Sequence, residues 1–507
     1  MKERVLLVGT VSKVDFPNKG KLMPTGEIPE MPEETPAGIC YVPAEKEYGA
    51  LNIKNVLPGQ KWMVSTHKKG RFSKEASPVQ LIRRAPYEVE APCPHADFCG
   101  GCSYQTVPVE KQLEMKEQQV KELLKDVPGI EDAIKEGRWE PIRRGPQSEG
   151  YRNKMEFSFG DPYKDGPLSL GLHKRGAFHD IISTGDCRLV HEDLRQILKE
   201  TELYFREKGY THYNTYTQEG SLRHLVLRRS FAENKVLLNL VTTSAINDEE
   251  LSPWVDRILS LELEGSVAGI LHTINDQSAD TVRSDRTTCL YGADYLMEEL
   301  LGLRFKIFPF SFFQTNTLGA EVLYSMIREY AGEVTDKTVF DLYCGTGTIA
   351  QVMAAAGAGR VRGIELVEEA VEAARENAVL NGLGNCDFLS GDVLKLVDSL
   401  GGEPDLIILD PPRDGIHPKA LPKLLAYAPK EFIYVSCKPT SLVRDLPAFL
   451  SAGYQIRRIG CCEMFPNTVH IEVVSLLQRM SNTRHATITL DVDMENYRRI
   501  KSEGNNM

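Results

Sequence analysis

The stretch VFDLYCGTGTIA (339–350) is an apolar run that ends in a glycine-rich turn. Gly345 and Gly347 let the backbone turn tightly and approach a ligand without a Cβ in the way. The pattern G-x-G-x-x-A is also typical of a dinucleotide-binding turn, so alone it predicts only a nucleotide-type ligand. Glu365 follows about twenty residues later, where an acidic side chain can accept hydrogen bonds from ribose hydroxyls. NAD and S-adenosylmethionine both carry that ribose, so both remain open at this point.

Apolar strands alternate with helical stretches around this turn. From about residue 306 the chain reads KTVFDLYCGTG, RVRGIELVEEAVEAARENAVLNG, DLIILDPPR and EFIYVSC. This alternation predicts an α/β domain with a doubly wound, Rossmann-like parallel sheet. Asp410 is followed by two prolines that stiffen a loop at the carboxyl edge, where ligands bind. Together, D-L-x-C-G-x-G, the acidic second strand and D-P-P resemble a class I methyltransferase, with an NAD enzyme as the alternative.

The rest of the chain indicates further domains. A chain of 507 residues is too long for one compact core. Residues 1–85 contain short β-type runs separated by glycine, proline and asparagine turns, which predicts a small barrel. Apolar residues recur at helical spacing over 107–126, and strands and helices mix from about 140 to 305. We therefore expect domains at 1–85, 86–305 and 306–478, the last being the methyltransferase-like domain, with an appendage at 479–507.

The composition is that of an ordinary globular protein, with 42% apolar and 26% charged residues. No apolar run reaches the roughly 18 residues of a membrane span, and no signal peptide is evident. We therefore expect a cytoplasmic protein that does not engage a membrane. The net charge of −11 argues weakly against nucleic-acid binding, but local patches decide that question. Because the cytoplasm is reducing, the eleven cysteines are expected to be ligands, nucleophiles or buried apolar residues.

Cys437 ends the apolar run FIYVSC, one strand after Asp410. Pro439 stops the strand, and Thr440 or Ser441 can cap the helix that follows. A cysteine at a strand end near a helix N-terminus can have a lowered pKa and act as a nucleophile. A core cysteine is the alternative, but the position beside the expected methyl donor favours the nucleophile.

A methyltransferase needs a nucleophile when its target carbon is inert, as C5 of uracil is. A thiolate that adds at C6 makes C5 nucleophilic, and a base must later remove the C5 proton. In MFPNTVHIEVVSLL (464–477), strand alternation predicts that His470 and Glu472 share one face. We assign Glu472 as this base, with His470 as the alternative.

The chain resembles the RNA uracil-C5 methyltransferase family, which includes 23S rRNA and tRNA T-loop enzymes. The matching stretches span 93–477: C-x5-C-x2-C, YRNKMEFSFG, SFFQTN, DLYCGTGTIA, GIE, DPPRDG, YVSCKPTSLVRDL and MFPxTxHxE. The resemblance implies that Cys437 is the nucleophile and Glu472 the base. It also implies contacts to S-adenosylmethionine from Gln314, Tyr343, Glu365 and Asp410. Asn467, where the family often has His, and Thr348, where some members have Asn, depart from the pattern.

One branch of this family carries a [4Fe–4S] cluster on four cysteines. The resemblance implies that the ligands here are Cys93, Cys99, Cys102 and, in STGDCRLVHEDL, Cys187. Four thiolates can also bind zinc, which more often uses paired C-x2-C units. One C-x2-C unit with two isolated cysteines favours the cluster, and zinc remains the alternative.

The N-terminal barrel resembles a TRAM domain, an OB-like RNA-binding module. Its basic end is then expected to contact RNA, with solvated surface charge as the alternative; this end comprises Lys68, Lys69, Arg71, Lys74, Arg83 and Arg84. Further candidates for RNA-backbone contact are Arg152, Asn153, Lys154, Lys174 and Arg175.

We expect a monomer that acts on RNA, by analogy 23S rRNA, with tRNA possible. RNA cytosine-C5 methylation is disfavoured because DPPR lacks the Pro-Cys pair of those enzymes. A non-catalytic RNA-binding protein is disfavoured because Cys437, Glu472 and Asp410 are all present.

Overall fold

A computed structural model describes residues 2–27, 39–44, 48–67, 74–278 and 286–480 of the chain. The chain divides into two compact units. One unit comprises residues 1–124, 142–323 and 462–471; the other comprises 125–141, 324–461 and the chain from 472 onward. Residues 481–507, which are most of the expected appendage, lie outside the described residues. The four-part division of the chain stays a prediction.

The N-terminal strands form one six-stranded sheet. They are β1 (Lys2–Asp15), β2 (Lys19–Pro24), β3 (Ile39–Pro43), β4 (Leu51–Lys54), β5 (Lys61–His67) and β6 (Ser77–Arg83). Strand β1 is central, since it pairs antiparallel with β2 and β5 and parallel with β3. Val11, Leu22, Ile53 and Val64 belong to the apolar core of this sheet. The short strands predicted for residues 1–85 are confirmed.

Helix α1 (Val109–Leu124) confirms the helix predicted over 107–126, and α2 (Ile130–Lys135) follows it. The buried face of α1 carries Gln112, Lys116 and Gln119 beside Met115 and Leu124. Buried polar groups need hydrogen-bond partners. Gln119 Nε2 accordingly donates to the carbonyl oxygen of Val14, in β1, at 3.2 Å. The apolar periodicity of the sequence did not reveal these buried polar side chains.

The central part of the chain builds a seven-stranded sheet in the order β10-β9-β8-β11-β12-β13-β14. The seven strands are β8 (Lys154–Gly160), β9 (Ser169–Lys174), β10 (Ala177–Ser183), β11 (Leu222–Ser230), β12 (Lys235–Thr242), β13 (Ser266–Ile274) and β14 (Arg286–Gly292). Strand β7 (Trp139–Arg144), which precedes them in the chain, belongs to the C-terminal sheet. Helices α3 (Glu192–Glu207) and α4 (Ser252–Leu259) contribute Phe205 and Trp254 to the core of this sheet. A two-stranded sheet, β15 (Leu296–Leu300) and β16 (Leu303–Ile307), leads into α5 (Thr317–Ala331).

The C-terminal part builds an eight-stranded sheet in the order β19-β18-β17-β20-β21-β23-β22-β7. Its remaining elements are β17 (Thr338–Leu342), α6 (Thr348–Ala355), β18 (Arg360–Glu365), α7 (Glu368–Leu380), β19 (Cys386–Ser390), α8 (Val393–Leu396), β20 (Leu406–Leu409), α9 (Leu421–Ala426), β21 (Glu431–Ser436), α10 (Pro439–Ser451), β22 (Tyr454–Glu463) and β23 (Glu472–Arg479). Strands β17 to β21 pair in parallel, which confirms the Rossmann-like α/β prediction. Among the helices that the structure describes, none combines the length and apolar character needed to cross a lipid bilayer.

The direction of chain progression reverses between β17 and β20. From β17 the chain adds β18 and β19 on one side, and then β20 and β21 on the other. In open α/β sheets, ligands bind at such a reversal, outside the carboxyl ends of the strands. The loops after β17, β18, β20 and β21 are therefore where a site is expected.

Asp341 is a carboxylate inside the core of this sheet. It lies in β17 and is fully buried, and its Oδ2 accepts a hydrogen bond from Ala350 N at 2.8 Å. Burial, with the negative charges of Asp410 and Glu365, raises the pKa of Asp341 to about 8. The folded protein therefore keeps this group protonated at pH values where the unfolded chain does not.

This buried carboxyl group predicts a pH-dependent stability. The unfolded chain releases the proton near pH ~4, whereas the folded pKa of Asp341 is about 8. Between these values the folded state binds the extra proton, so raising the pH lowers the free energy of unfolding. Asp341→Asn removes the titrating group, so the free energy of unfolding of the variant should rise relative to that of the wild type between pH 5 and pH 8. Urea denaturation at the two pH values measures this, and an unchanged difference would contradict the shift.

Candidate active site

The glycine turn after β17 is built for close approach. Tyr343, Gly345 and Gly347 all have positive φ, at 69°, 54° and 71°. A Cβ on Gly347 would lie 2.6 Å from the Phe388 ring, so only glycine fits there. The turn opens directly into α6, whose N-terminal N–H groups face the same edge of the sheet.

Glu365 lies at the carboxyl end of β18 and braces this turn. Its Oε2 accepts from Gly345 N at 3.1 Å, and its Oε1 accepts from Val367 N at 3.1 Å. A carboxylate that is held by two backbone donors has a fixed orientation, and each of its oxygens keeps capacity for another donor. The position agrees with the one that the sequence predicts for a ribose-binding acid.

Asp410 directly follows β20, next to the glycine turn. Its backbone N–H reaches the carbonyl oxygen of Leu342 at 3.4 Å, which places the two strand ends side by side. Burial raises the pKa of Asp410 to about 7. Asp341, which is fully buried, and Asp410, which is half-buried, are therefore two acids with raised pKa values on neighbouring strands. A cationic ligand would lower the pKa of both.

Cys437 and Glu472 are brought together by strand pairing. Strand β23 runs antiparallel to β21, and the register pairs Ser436 with Val473. Continued by one position, this register sets Cys437, directly after β21, opposite Glu472, the first residue of β23. In agreement with this, burial and then the negative charge of Glu472 raise the pKa of Cys437. Glu472 is 6% exposed, and Cys437 is half-buried. The two catalytic candidates thus meet although 35 positions of sequence (472 − 437) separate them.

The pKa of Cys437 is raised to about 12, not lowered as the sequence suggested. Burial is the largest cause, followed by the negative charges of Glu472 and Asp410, while Arg413 opposes the shift. A helix N-terminus attracts an anion only weakly compared with the cost of burying one. Burial and the neighbouring carboxylates therefore favour the neutral thiol of Cys437.

Two local predictions around these residues are wrong. Helix α10 begins at Pro439 with Lys438 as its N-cap residue, so Thr440 and Ser441 lie inside the helix and do not cap it. Proline favours the first helical position, which sets this start. Strand β23 begins at Glu472, so His470 lies in the preceding loop and shares no strand face with it.

The five residues Tyr343, Glu365, Asp410, Cys437 and Glu472 belong to one compact unit. Gln314, the remaining predicted cofactor contact, belongs to the other unit. Its carbonyl oxygen accepts a hydrogen bond from Asn153 Nδ2 at 3.0 Å. Asp341 was not assigned a role from the sequence, although an acid inside an apolar strand was a visible signal.

The four predicted metal-binding cysteines line one cavity. Its empty volume is about 340 Å³, part of it open to solvent, and its walls include Cys93, Cys99, Cys102 and Cys187. Each is a free thiol. Burial first, and then the neighbouring thiols, raise the pKa of Cys102 to about 11 and that of Cys187 to about 12. Among the described residues, no three or more His, Cys, Asp or Glu side chains form a group that could hold a metal ion.

Hydrogen-bond donors surround these sulfur atoms. Gly101 N donates to Cys99 Sγ at 3.3 Å, and Gln105 Nε2 donates to Cys102 Sγ at 3.5 Å. The Arg175 guanidinium donates to the carbonyl oxygens of Ala96 at 2.9 Å and Cys102 at 2.8 Å. Arg175, predicted as an RNA contact, therefore holds the cysteine loop in shape.

The other RNA-backbone candidates differ in their surroundings. Asn153 is 5% exposed, and it donates to Gln314 and to Thr317 Oγ1, so its prediction as an RNA contact is wrong. Lys154 pairs with Glu156 at 2.6 Å, and burial lowers its pKa. Lys74, Arg83 and Arg84 are exposed at the N-terminal sheet, while Lys68, Lys69 and Arg71 lie outside the described residues.

Comparisons with known proteins agree with this architecture. Residues 333–451 match a family model described as a methyltransferase domain. A Pyrococcus abyssi tRNA (uracil-54, C5)-methyltransferase, solved with S-adenosyl-L-homocysteine, superposes with a TM-score of 0.69 at 24% identity. The match covers 93% of this chain and 100% of that one, and it shows a common fold.

Two bacterial relatives are much closer in sequence. A protein of Clostridium tetani described as an uncharacterized RNA methyltransferase is 47% identical over 444 residues, which cover 87% of this chain and 94% of the relative. A protein of Caldanaerobacter subterraneus subsp. tengcongensis with the same description is 45% identical over 429 residues, covering 85% and 94%. These relatives show that the chain belongs to the RNA methyltransferase family, and the position of the site at the reversal of the sheet agrees with this.

Proposed function

We propose that this protein transfers the methyl group of S-adenosylmethionine to C5 of a uridine in structured RNA. The observation that carries the proposal is the electrostatic effect of Glu472 and Asp410 on Cys437, together with the register of β21 and β23, which when continued by one position sets Cys437 opposite Glu472. A nucleophile paired with a base is what C5 methylation of uracil requires. Gln314, Tyr343, Glu365 and Asp410 are the proposed contacts to S-adenosylmethionine.

The residues supply the steps in order. S-adenosylmethionine provides an electrophilic methyl group on a positively charged sulfonium. Cys437, which is half-buried, releases its proton to solvent, and its thiolate adds to C6. The electron pair of the C5–C6 double bond then forms the bond from C5 to the methyl carbon, while the bond from that carbon to the sulfonium sulfur breaks and neutral S-adenosylhomocysteine leaves. Glu472 removes the C5 proton, the C5–C6 double bond re-forms, and the Cys437 thiolate leaves.

The raised pKa of Cys437 makes this chemistry dependent on the bound ligand. Burial and the charges of two carboxylates, Glu472 and Asp410, oppose ionisation of the Cys437 thiol. A positive charge brought beside Asp410 offsets those carboxylates and favours the thiolate. The nucleophile is then activated only when the methyl donor is in place.

We propose 23S rRNA as the target, by analogy with the branch that the cysteine pattern resembles. A tRNA T-loop is the second candidate, because the solved structure with the same fold is described as a tRNA (uracil-54, C5)-methyltransferase. The pairing of Cys437 with Glu472 favours either over a non-catalytic RNA-binding protein.

The first expected outcome concerns the product. The purified protein, given S-adenosylmethionine and separate 23S rRNA and tRNA transcripts, should form 5-methyluridine in the 23S rRNA. Mass-spectrometric mapping of both RNAs locates the modified position. Modification of tRNA alone would move the assignment to the second candidate, and 5-methylcytidine or no modified base would reject uracil-C5 methylation.

A second expected outcome separates the two catalytic residues. Cys437→Ala should abolish methylation and any covalent RNA link, because addition at C6 comes first. Glu472→Gln should still transfer the methyl group but should retain the methylated adduct, since the thiolate leaves only after the C5 proton has gone. A denaturing gel should show a slowly migrating protein–RNA band for Glu472→Gln and none for the double variant. Turnover by Glu472→Gln at the wild-type rate would contradict its role.

We further propose that Cys93, Cys99, Cys102 and Cys187 hold a [4Fe–4S] cluster that maintains the shape of this region. Support comes from the cavity that all four line and from the N–H donors directed at two of the sulfur atoms. Hydrogen bonds to sulfur are typical of iron–sulfur sites. Three buried thiols and the half-buried thiol of Cys102, none of them in a disulfide, suit a group that removes their protons when it binds.

Metal analysis tests the cluster. Anaerobically purified protein should be brown, with about four irons per chain. Cys187→Ser should lose most of this iron, whereas Cys289→Ser, an exposed cysteine outside the cavity, should retain it. Zinc in place of iron in the wild-type protein would reject the cluster in favour of the zinc alternative.

We also propose that the N-terminal sheet is a TRAM-like, OB-type module that binds RNA through its basic end. Exposed Lys74, Arg83 and Arg84 support this. Replacing all three by glutamine should weaken RNA binding. It should also reduce the slope of the logarithm of the binding constant against the logarithm of the salt concentration, by up to about 0.7 for each phosphate that is no longer neutralised. Lys135→Gln, an exposed lysine on α2, is the control. An unchanged slope in the triple variant would exclude these residues from the RNA interface.

A further inference from the structure

The segment 463–470 begins at the last residue of β22 and is separated from Glu472 only by Ile471. Most of its residues are buried, and after Glu463 it has no regular structure. It leaves β22 at Glu463, and β23 does not begin until Glu472. Met464 is fully buried, and Asn467 and Thr468 are 7% and 5% exposed. A buried backbone outside helix and sheet must find its hydrogen bonds elsewhere.

Lys116 of α1 ties the two ends of this segment together. Its side chain is 1% exposed. Its Nζ lies 2.5 Å from Glu463 Oε2, 3.0 Å from the carbonyl oxygen of His470 and 3.3 Å from that of Phe465. An ammonium group has three protons to donate, and here they meet three acceptors of one segment. Burying a charged group costs free energy unless the group is hydrogen-bonded, and the three acceptors that Lys116 bonds all lie in 463–470.

Asn467 fixes the middle of the segment. Its φ of 67° is left-handed, a region in which asparagine is enriched. Its side-chain Oδ1 accepts from Gln112 Nε2 at 2.9 Å, and its backbone N donates to Gln112 Oε1 at 2.8 Å. Its Nδ2 donates to the carbonyl oxygen of Ser148 at 3.2 Å.

The cysteine loop contacts the same residue. The backbone N–H groups of Ser103 and Tyr104, directly after Cys102, both donate to the carbonyl oxygen of Asn467 at 3.0 Å. Tyr151 OH donates to the neighbouring carbonyl oxygen of Pro466 at 2.9 Å. The segment is thus held by α1 and by the loop that carries the proposed cluster ligands.

We propose that Lys116 and Asn467 are positioning residues for the removal of the C5 proton. They act by fixing the segment 463–470, whose far end continues through Ile471 into the base. This rests on the proposed function, in which Glu472 is that base. Cys437 lies directly after β21 and has its own support, so nucleophilic addition and methyl transfer do not depend on this segment in the same way.

The expected defect is specific to one step. A misplacement of about 1 Å in a reacting group can slow its step by about 100-fold. When the segment is loosened, Glu472 should sample positions from which it cannot reach the C5 proton. The adduct should then form and acquire its methyl group but be released slowly, a weaker form of the behaviour expected for Glu472→Gln.

The test follows two labels in a single reaction. RNA with tritium at C5 of uridine reports proton removal, and S-adenosylmethionine with a ¹⁴C methyl group reports methyl transfer. Wild-type enzyme should release one tritium for each methyl transferred. Lys116→Met/Glu463→Gln removes both buried charges, and Asn467→Gly keeps the left-handed backbone while removing the side-chain bonds. Both should transfer methyl groups in excess of tritium released, with release slowed by about 10- to 100-fold.

Controls separate this role from general damage. Lys111→Met, on the same helix but in a surface pair with Glu114, should behave like wild type. The excess of methyl over tritium should appear as a covalent band on a denaturing gel and should vanish when Cys437→Ala is added. Thermal unfolding of each variant confirms that it is folded, and Asn467→Gly provides the test if the double variant is not.

If folded variants lose methyl transfer and tritium release to the same extent, the positioning role is wrong. A raised KM for RNA with an unchanged ratio of tritium released to methyl transferred would also overturn it. A wild-type enzyme that releases no tritium at all would instead reject the proposed function. The two failures are therefore distinct.

Discussion

The antiparallel pairing of β23 with β21 is the constraint on which the proposed chemistry depends. Successive side chains of a strand point to opposite faces, so a slip of one residue would turn Glu472 away from Cys437. The register is secured by burial on both strands, since nearly every side chain from Phe432 to Ser436 and from Glu472 to Leu477 is buried. The core of the sheet thereby sets the alignment of the site.

Burial also sets the charge state at the reversal of the sheet. Asp341, Asp410 and Cys437 all have raised pKa values, and burial is the largest cause for each. A positive charge nearby lowers the pKa of an acid or a thiol, so a bound cation would favour the ionised forms of all three groups. The electrostatics of this edge of the sheet thus suit a positively charged methyl donor, and under the proposed function its binding would also activate Cys437.

Buried hydrogen bonds connect helix α1 with residues 463–470. Gln112 and Lys116 occupy the face of α1 where apolar side chains would ordinarily pack, and both form hydrogen bonds with residues of 463–470. Burial lowers the pKa of Lys116 and raises that of Glu463, and the attraction between the two charges opposes both shifts. Breaking one side of such a pair is costly, but the geometry it imposes is specific. The departure at Asn467 is explained by its left-handed backbone and its bonds to Gln112.

The sequence by itself determined the features that depend on local patterns. The Rossmann-like sheet, α1 and the early strands follow from periodicity, and the positions of Glu365 and Asp410 follow from strand ends and their turns. The tertiary structure alone decided the direction of the pKa of Cys437, the loop conformation at His470 and the burial of Asn153. These depend on neighbours that are distant in the chain, and desolvation by such neighbours has no local pattern in sequence. The pairing of Lys116 with Glu463 spans 347 positions, so only the folded chain could show it.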